Sequence, residues 1–216
     1  MNMSRRFLLV ALVTIAVAVV LSSCMMVKPK TNIMTIREAI NAAATSTVNA
    51  TITGVVTYAY GDSILIEDDT AAIEVYLKSS NFSKIYENGD KLKVFGKIEE
   101  YKGNWEIVPA STSDVTKIGT STIKATLIAT DTSLSTSDDW MLMKVMNLPV
   151  KKVADKYYNV VLSNGNAEIT INSYDANVRK WLTSLATNDV VSVQGYVKYN
   201  YGAYKLFLRD ENDILK

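Results

Sequence analysis

One block of this sequence occurs twice at a constant offset of 99 residues. The shift aligns Asp90 with Asp189, Leu92 with Val191, Val94 with Val193, Gly96 with Gly195, Gly103 with Gly202, Trp105 with Tyr204 and Val115 with Ile214. A single register held over the 26 positions from 90 to 115 marks a duplicated unit, and it restricts the chain to folds made of two like halves.

Each half reads as short strands. In the first, Thr35-Ile36-Arg37-Glu38 has the spacing of a capping box, and it predicts a short helix over 36–44. From Thr51 the apolar period becomes two. Strands are predicted over 51–59, 63–67, 71–77, 91–100 and 105–109, broken at Gly61-Asp62, Asp68-Asp69-Thr70, Asn88-Gly89-Asp90 and Lys102-Gly103-Asn104. Residues 81–87 fit one or two helical turns. In the second half, Trp140 to Val153 reads as the long first strand, with Pro149 marking a bulge or edge within it. Residues 156–163 and 167–172 read as the second and third strands. Val178, Trp181, Leu182 and Leu185 share one face at helical spacing, so 175–186 is a helix. The Ser-, Thr- and Asp-rich stretch 116–138 links the halves, and its segment 124–130 is open to either a short strand or a helix. The units are thus 35–115 and 139–216.

Three strands, a helix and two strands is the order of an OB-fold, a five-stranded barrel with its helix between strands three and four. The fold class expected is mainly β: two tandem five-stranded OB-fold-like barrels, each with a short helix in that slot. The residues add a resemblance. Gly54-Val55-Val56-Thr57, the run Ile64 to Thr70, Ile73-Glu74-Val75-Tyr76, Asn88-Gly89-Asp90 and Val94-Phe95-Gly96 resemble the OB-type modules of bacterial lipoproteins and of secreted bacterial nucleases. Trp140 to Val145 is similar to the opening strand of the second module in such tandem pairs. The resemblance implies a binding module. With the second module ending at Lys216, the nuclease catalytic domain, and therefore nuclease activity, is not expected.

The N-terminus has a separate logic. Arg5 and Arg6 precede the apolar run 7–21, in which Thr14 is the only polar residue, and Ser22, Ser23 and Cys24 follow. A charged start, a short apolar run and small residues make a signal peptide over 1–23, predicted as a signal helix. The run is shorter than the ~20 apolar residues of a bilayer-spanning helix. Leu21-Ser22-Ser23-Cys24 resembles the lipobox of bacterial lipoproteins. That resemblance implies cleavage before Cys24 and attachment of diacylglycerol, a palmitate-type anchor, to its sulfur. Two or more acyl chains hold a protein stably on a membrane where one does not. Cys24 is the only cysteine in the chain, which suits a lipidated residue better than a leftover exported thiol. Residues 24–34 then form a tether. The expected location is extracytoplasmic, at the cell membrane or outer membrane; Met25 after Cys24, by resemblance to envelope sorting, favours the outer one.

Composition excludes several chemistries. The chain has no histidine, so Ser-His-Asp and Cys-His catalysis and His/Cys zinc sites are not available. No phosphate-binding loop, nucleophile elbow or EF-hand is present. No metal, no cofactor and no enzymatic activity are expected. Glu67-Asp68-Asp69 is the one acidic cluster of note, and it reads as a solvated turn.

Aromatics beside lysines mark the expected ligand faces, since OB-folds bind on strands two and three and on the loops joining strands one to two and four to five. In the first unit these are Tyr58, Tyr60, Tyr76, Tyr101, Lys102 and Trp105. In the second they are Tyr157 and Tyr158 on strand two, and Tyr199, Tyr201, Tyr204 and Lys205 around the last hairpin. Such rings stack on bases or on sugars, and tyrosine is also an ordinary strand residue that packs across strands. Residues 51–115 hold six lysines against eleven acids; residues 120–216 hold eleven basic residues against ten acids. If the chain binds a polyanion, the second unit is therefore where it is expected, and nucleic acid is not the favoured partner. The function expected is a tethered, non-catalytic binding module for a protein or glycan partner; the alternatives are capture of single-stranded nucleic acid at the cell surface and, after it, a hydrolase working without histidine.

Overall fold

Thr35 caps the first helix, α1 (Ile36–Ala43), with both halves of the expected box: its side chain accepts from the Glu38 N–H, and the Glu38 carboxylate accepts from the Thr35 N–H. The computed structural model describes residues 32–129, 131–163 and 165–215. The signal peptide, Cys24 and the tether up to residue 31 lie outside them. Among the described residues no helix is long and apolar enough to cross a membrane.

Around α1 the chain winds a first barrel. Its strands are β2 (Val48–Tyr60), β3 (Ser63–Glu67), β4 (Ala72–Tyr76), β5 (Asp90–Tyr101) and β6 (Asn104–Val108). They pair in the order β2-β3-β4-β6-β5 and close from β5 back to β2; β4 and β6 are parallel and the other pairs antiparallel. On β5, Leu92, Val94 and Ile98 are buried while Lys91, Lys93 and Lys97 are exposed, as the alternation predicts. Two short strands extend the sheet: β1 (Ile33–Met34) lies beside β2, and β7 (Val115–Thr120) beside β5.

The second barrel repeats the closure. Strands β9 (Leu142–Lys152), β10 (Val160–Ser163), β11 (Glu168–Ser173), β12 (Val190–Asn200) and β13 (Ala203–Leu208) pair as β9-β10-β11-β13-β12 and return to β9, with β11 and β13 parallel. The open segment 124–130 supplies a short strand, β8 (Thr126–Leu127), along β9, and β14 (Ile214–Leu215) lies along β12. The offset of 99 is kept in three dimensions. It carries β5 onto β12, β6 onto β13 and the 3-10 turn Thr112–Asp114 onto Glu211–Asp213. It also carries Gly96 onto Gly195. A Cβ on Gly96 would lie 2.7 Å from the Val108 carbonyl oxygen, and one on Gly195 would clash with the carbonyl of Phe207, the residue 99 positions on from Val108. The repeated glycine is where strand four bends so tightly against strand five that no side chain fits.

The slot between strands three and four differs between the halves. In the first it is a single 3-10 turn, Phe82–Lys84, with Phe82 fully buried. In the second it is α2 (Ala176–Ser184), capped by Asp175, whose side chain accepts from the Asn177 and Val178 N–H groups, and buried through Val178 and Leu182.

Three local readings need correction. Trp140 does not open the strand: its φ of 62° turns it out of the sheet, and it is fully buried. Tyr157 and Tyr158 precede the second strand instead of lying on it. The Asp155 carboxylate accepts from the N–H groups of Tyr157 and Asn159, and these side chain-to-backbone bonds hold a turn where the ladder would otherwise begin. The bulge in β9 falls at Met146 and Asn147, just before Pro149, where the register against β12 slips by one residue.

The barrels meet in a third apolar cluster of Leu65, Ala72, Trp140, Tyr196 and Phe207, separate from each barrel's own core. Polar ties frame it. The Trp140 Nε1–H donates to the Trp105 carbonyl at 2.9 Å, and the Leu142 N–H donates to the buried Glu67 carboxylate at 2.8 Å. Asn104 bonds both the N–H and the carbonyl of Tyr199, acting as an extra rung between the sheets. Arg209 reaches the Thr57 carbonyl at 2.6 Å while its guanidinium is held by Asp213.

Candidate ligand-binding clefts

Two clefts open on the strand-two, strand-three and hairpin faces of the barrels, and they share Asn200 and Tyr201. The cleft of the second barrel encloses about 650 Å³. Its rim is the Asp155 turn, which presents Tyr157, and the β12–β13 hairpin, which presents Tyr201. These rings are 64% and 97% exposed. Inside, the Tyr174 ring stacks on Phe207 with centroids 5.1 Å apart; it is exposed, and the Arg179 guanidinium lies over it at 5.8 Å. Three cations line the space: Lys156, Arg179 and Lys205. Arg179 lies over the Tyr158 ring at 4.8 Å and is fixed by its Nε–H bond to the Ser173 carbonyl, 2.7 Å. Lys205 forms the floor. It is 9% exposed and donates to Asn159 Oδ1 at 3.1 Å. Burial lowers its pKa, opposed by Asp155. Among the described residues no carboxylate lines this cleft, and Asp155 stands behind its rim.

The three asparagines of the cleft are committed to holding it. Asn172 donates to the Tyr157 carbonyl and to Asn159 Oδ1, at 2.9 and 2.7 Å. Asn159 donates to Asp155, and Asn200 donates to the Tyr174 hydroxyl and accepts from Lys205. The charges and ring faces are what remain for a ligand.

The cleft of the first barrel, about 870 Å³, has the opposite character. Glu74, Glu99 and Glu106 lie on it with Tyr60, Tyr76 and Tyr101. The Tyr60 hydroxyl donates to Glu74 at 2.6 Å, and burial raises the Tyr60 pKa. Burial also pushes Glu106 up to about 7, helped by Glu74 and Glu99. Lys198 sits over the Trp140 ring at 4.7 Å, its pKa lowered by burial.

The expected ligand-face residues therefore divide. Tyr157, Tyr158, Tyr201 and Lys205 meet in the second barrel's cleft. Tyr60, Tyr76, Tyr101, Lys102 and Tyr199 meet in the first barrel's, with Tyr201 shared. Tyr58 reaches neither: it stacks between Tyr60 and Tyr196 at the junction, with centroids 5.1 and 5.6 Å away. Trp105 packs on the first core, and Tyr204 lies against Tyr199 with their rings tilted by 56° and bonds Thr136. Sequence reasoning missed Tyr174, Arg179 and the glutamates. Arg179 follows the Asp175 cap by four residues, which sets it on the helix turn nearest strand three; that spacing was the available signal. The acidic cluster also separates. Glu67 enters the junction, and Asp68 caps α1 and its own turn by accepting from the Ile36, Thr70 and Ala71 N–H groups.

The closed strand order and the paired clefts define a tandem OB-fold protein. No family model and no curated protein matches the chain. Among solved structures it is similar to the hypothetical protein ygiW from E. coli, 15% identical over 42% of this chain and 94% of that one, TM-score 0.34. It is also similar to the tetrameric p202 HIN2, 13% identical over 76% and 91%, TM-score 0.39. A Replication Protein A heterotrimer bound to ssDNA is 12% identical over 74% and 47%, TM-score 0.30. At these identities and scores the likenesses carry no argument about what this chain binds.

Proposed function

We propose that this chain is a non-catalytic binding protein, held outside the cytoplasm by lipid on Cys24, whose second barrel takes up single-stranded nucleic acid. The observation that supports this reading is the second barrel's cleft: exposed tyrosine faces beside Lys156, Arg179 and Lys205, with no carboxylate among the described residues of the lining. Ring faces stack on bases irrespective of sequence, and cations track the phosphates. A neutral glycan is the poorer fit, because the amides that would read its hydroxyls already bond one another and the cleft's own backbone. Membrane tethering rests on Leu21 to Cys24.

Fluorescence anisotropy with a labelled single-stranded oligonucleotide tests the cleft. Three cations meeting phosphates give a slope of log affinity against log salt of about −2. Tyr157→Ala and Tyr201→Ala each remove one stacked ring and are expected to weaken binding by about 1–3 kcal/mol. Absence of binding at low ionic strength, or full affinity in both variants, would sink the proposal. The anchor is tested separately. Cys24→Ser is expected to move the protein from the membrane to the soluble fraction, and a variant that stays in the membrane fraction would argue against it.

A further inference from the structure

We infer that the first barrel's cleft is a second binding site, for an aliphatic polyamine. Its basis is a row of three glutamates across adjacent strands. Glu74 on β4 is the register partner of Glu106 on β6, and Glu106 is the register partner of Glu99 on β5. Like charges directly opposite each other on a sheet are destabilising. A barrel that needed only to fold would not keep three of them side by side.

The middle residue carries the inference. Glu74 accepts from the Tyr60 hydroxyl, and Glu99 pairs with Lys97. Glu106 is 7% exposed and lines the cleft, and no group among the described residues bonds its carboxylate. Its oxygens open onto the cleft and are not sealed in the barrel, so their partner comes from solution. The two lysines on the cleft do not supply it: Lys102 lies over the Tyr101 ring at 4.9 Å and Lys198 over the Trp140 ring. A directly ligated metal ion does not fit either, since no group of three acidic or cysteine side chains among the described residues could hold one.

An organic cation meets each demand. The exposed ring of Tyr76 offers a π face to an ammonium group and its methylenes. Ammonium groups three or four methylenes apart are about 5–6 Å from each other, close to the ~4.8 Å step between strands. A polyamine laid across β4, β6 and β5 sets its charges along the glutamate row.

Calorimetric titration of the full chain with spermidine at low ionic strength tests this. Spermidine is expected to bind with one-to-one stoichiometry. Glu106→Gln is expected to weaken it at least tenfold while leaving the thermal midpoint equal to or above the parent's, because a like-charge contact is lost. Glu99→Gln, nearer the surface, gives the same test if Glu106→Gln folds poorly. Tyr157→Ala, in the other cleft, is expected to leave spermidine affinity unchanged, which separates this site from the nucleic-acid reading. Absence of binding, unchanged affinity in both glutamine variants, magnesium binding as tightly as spermidine, or an equal loss in Tyr157→Ala would overturn the inference.

Discussion

Trp140→Ala is expected to lower the unfolding free energy by about 3–5 kcal/mol, measured by urea or thermal unfolding. Trp140 is the largest fully buried side chain, and it belongs to neither barrel's core. Its ring packs between Leu65 and Ala72 of the first barrel and Tyr196 and Phe207 of the second. Truncation removes that apolar burial and leaves a cavity that two closed barrels cannot collapse to fill. It also leaves the Trp105 carbonyl without its indole donor. Trp140→Phe keeps a ring but not the donor, so it is expected to fall between the two. An unfolding midpoint for Trp140→Ala equal to the parent's would show that the junction contributes little to stability.

The same junction makes stability fall as pH rises from acid to neutral. Burial pushes Glu67 and Asp139 up to about 7, from 4.5 and 3.8; the Leu142 N–H opposes it at Glu67 and the Trp105 N–H at Asp139. Glu106 is raised to the same value. Asp139 Oδ1 is buried without a partner, so its charged form is poorly served. Between the ordinary carboxylate range and about 7, the folded chain keeps protons that the unfolded chain has released. The stabilisation is therefore complete below the unfolded pKa values and is lost as pH rises through the folded ones. With about 1.4 kcal/mol per pKa unit, the loss between about pH 5 and pH 8 is on the order of 2–3 kcal/mol for each of the junction carboxylates Glu67 and Asp139. Exposed carboxylates such as Asp62 and Glu168, whose pKa values are lowered by hydrogen bonds, act in the opposite sense and only in more acid solution. Denaturant unfolding at the two pH values checks the prediction, and Glu67→Gln is expected to flatten the difference. Equal stability at both would count against these three groups holding protons in the folded state.

Both predictions concern residues that a reading of the sequence placed elsewhere or left aside. Trp140 looked like the first residue of an apolar strand, because periodicity records hydrophobicity and not the sign of φ. Glu67 sat in an acidic triplet read as a turn, yet its carboxylate is drawn into the junction by the Leu142 N–H. Tyr157 and Tyr158 line the second barrel's cleft but read as part of a strand in the sequence, since apolar alternation continues across the turn that Asp155 imposes.

What the sequence determined by itself was each barrel. Alternation specified which residues point into a core. The offset of 99 specified that the closure occurs twice, down to the glycine that bends strand four. The absence of histidine narrowed the chemistry. What only the tertiary structure decided was the fate of the outward-facing residues. Alternation puts Tyr196 outside its barrel but sets Tyr58 and Tyr60 in line with the core residues Ile52 and Val56. A bulge after Val56 shifts the two tyrosines to the junction, and alternation does not say whether an outside is water or the other barrel. Docking through Trp140 stacked the partly buried Tyr58 on the buried Tyr196, left Tyr157 and Tyr201 in the open, and separated a cationic cleft from one lined by glutamates. The physical reason is that a strand's period is a local property of the backbone. The sharing of an exterior surface depends on contacts between residues as far apart as Thr57 and Arg209.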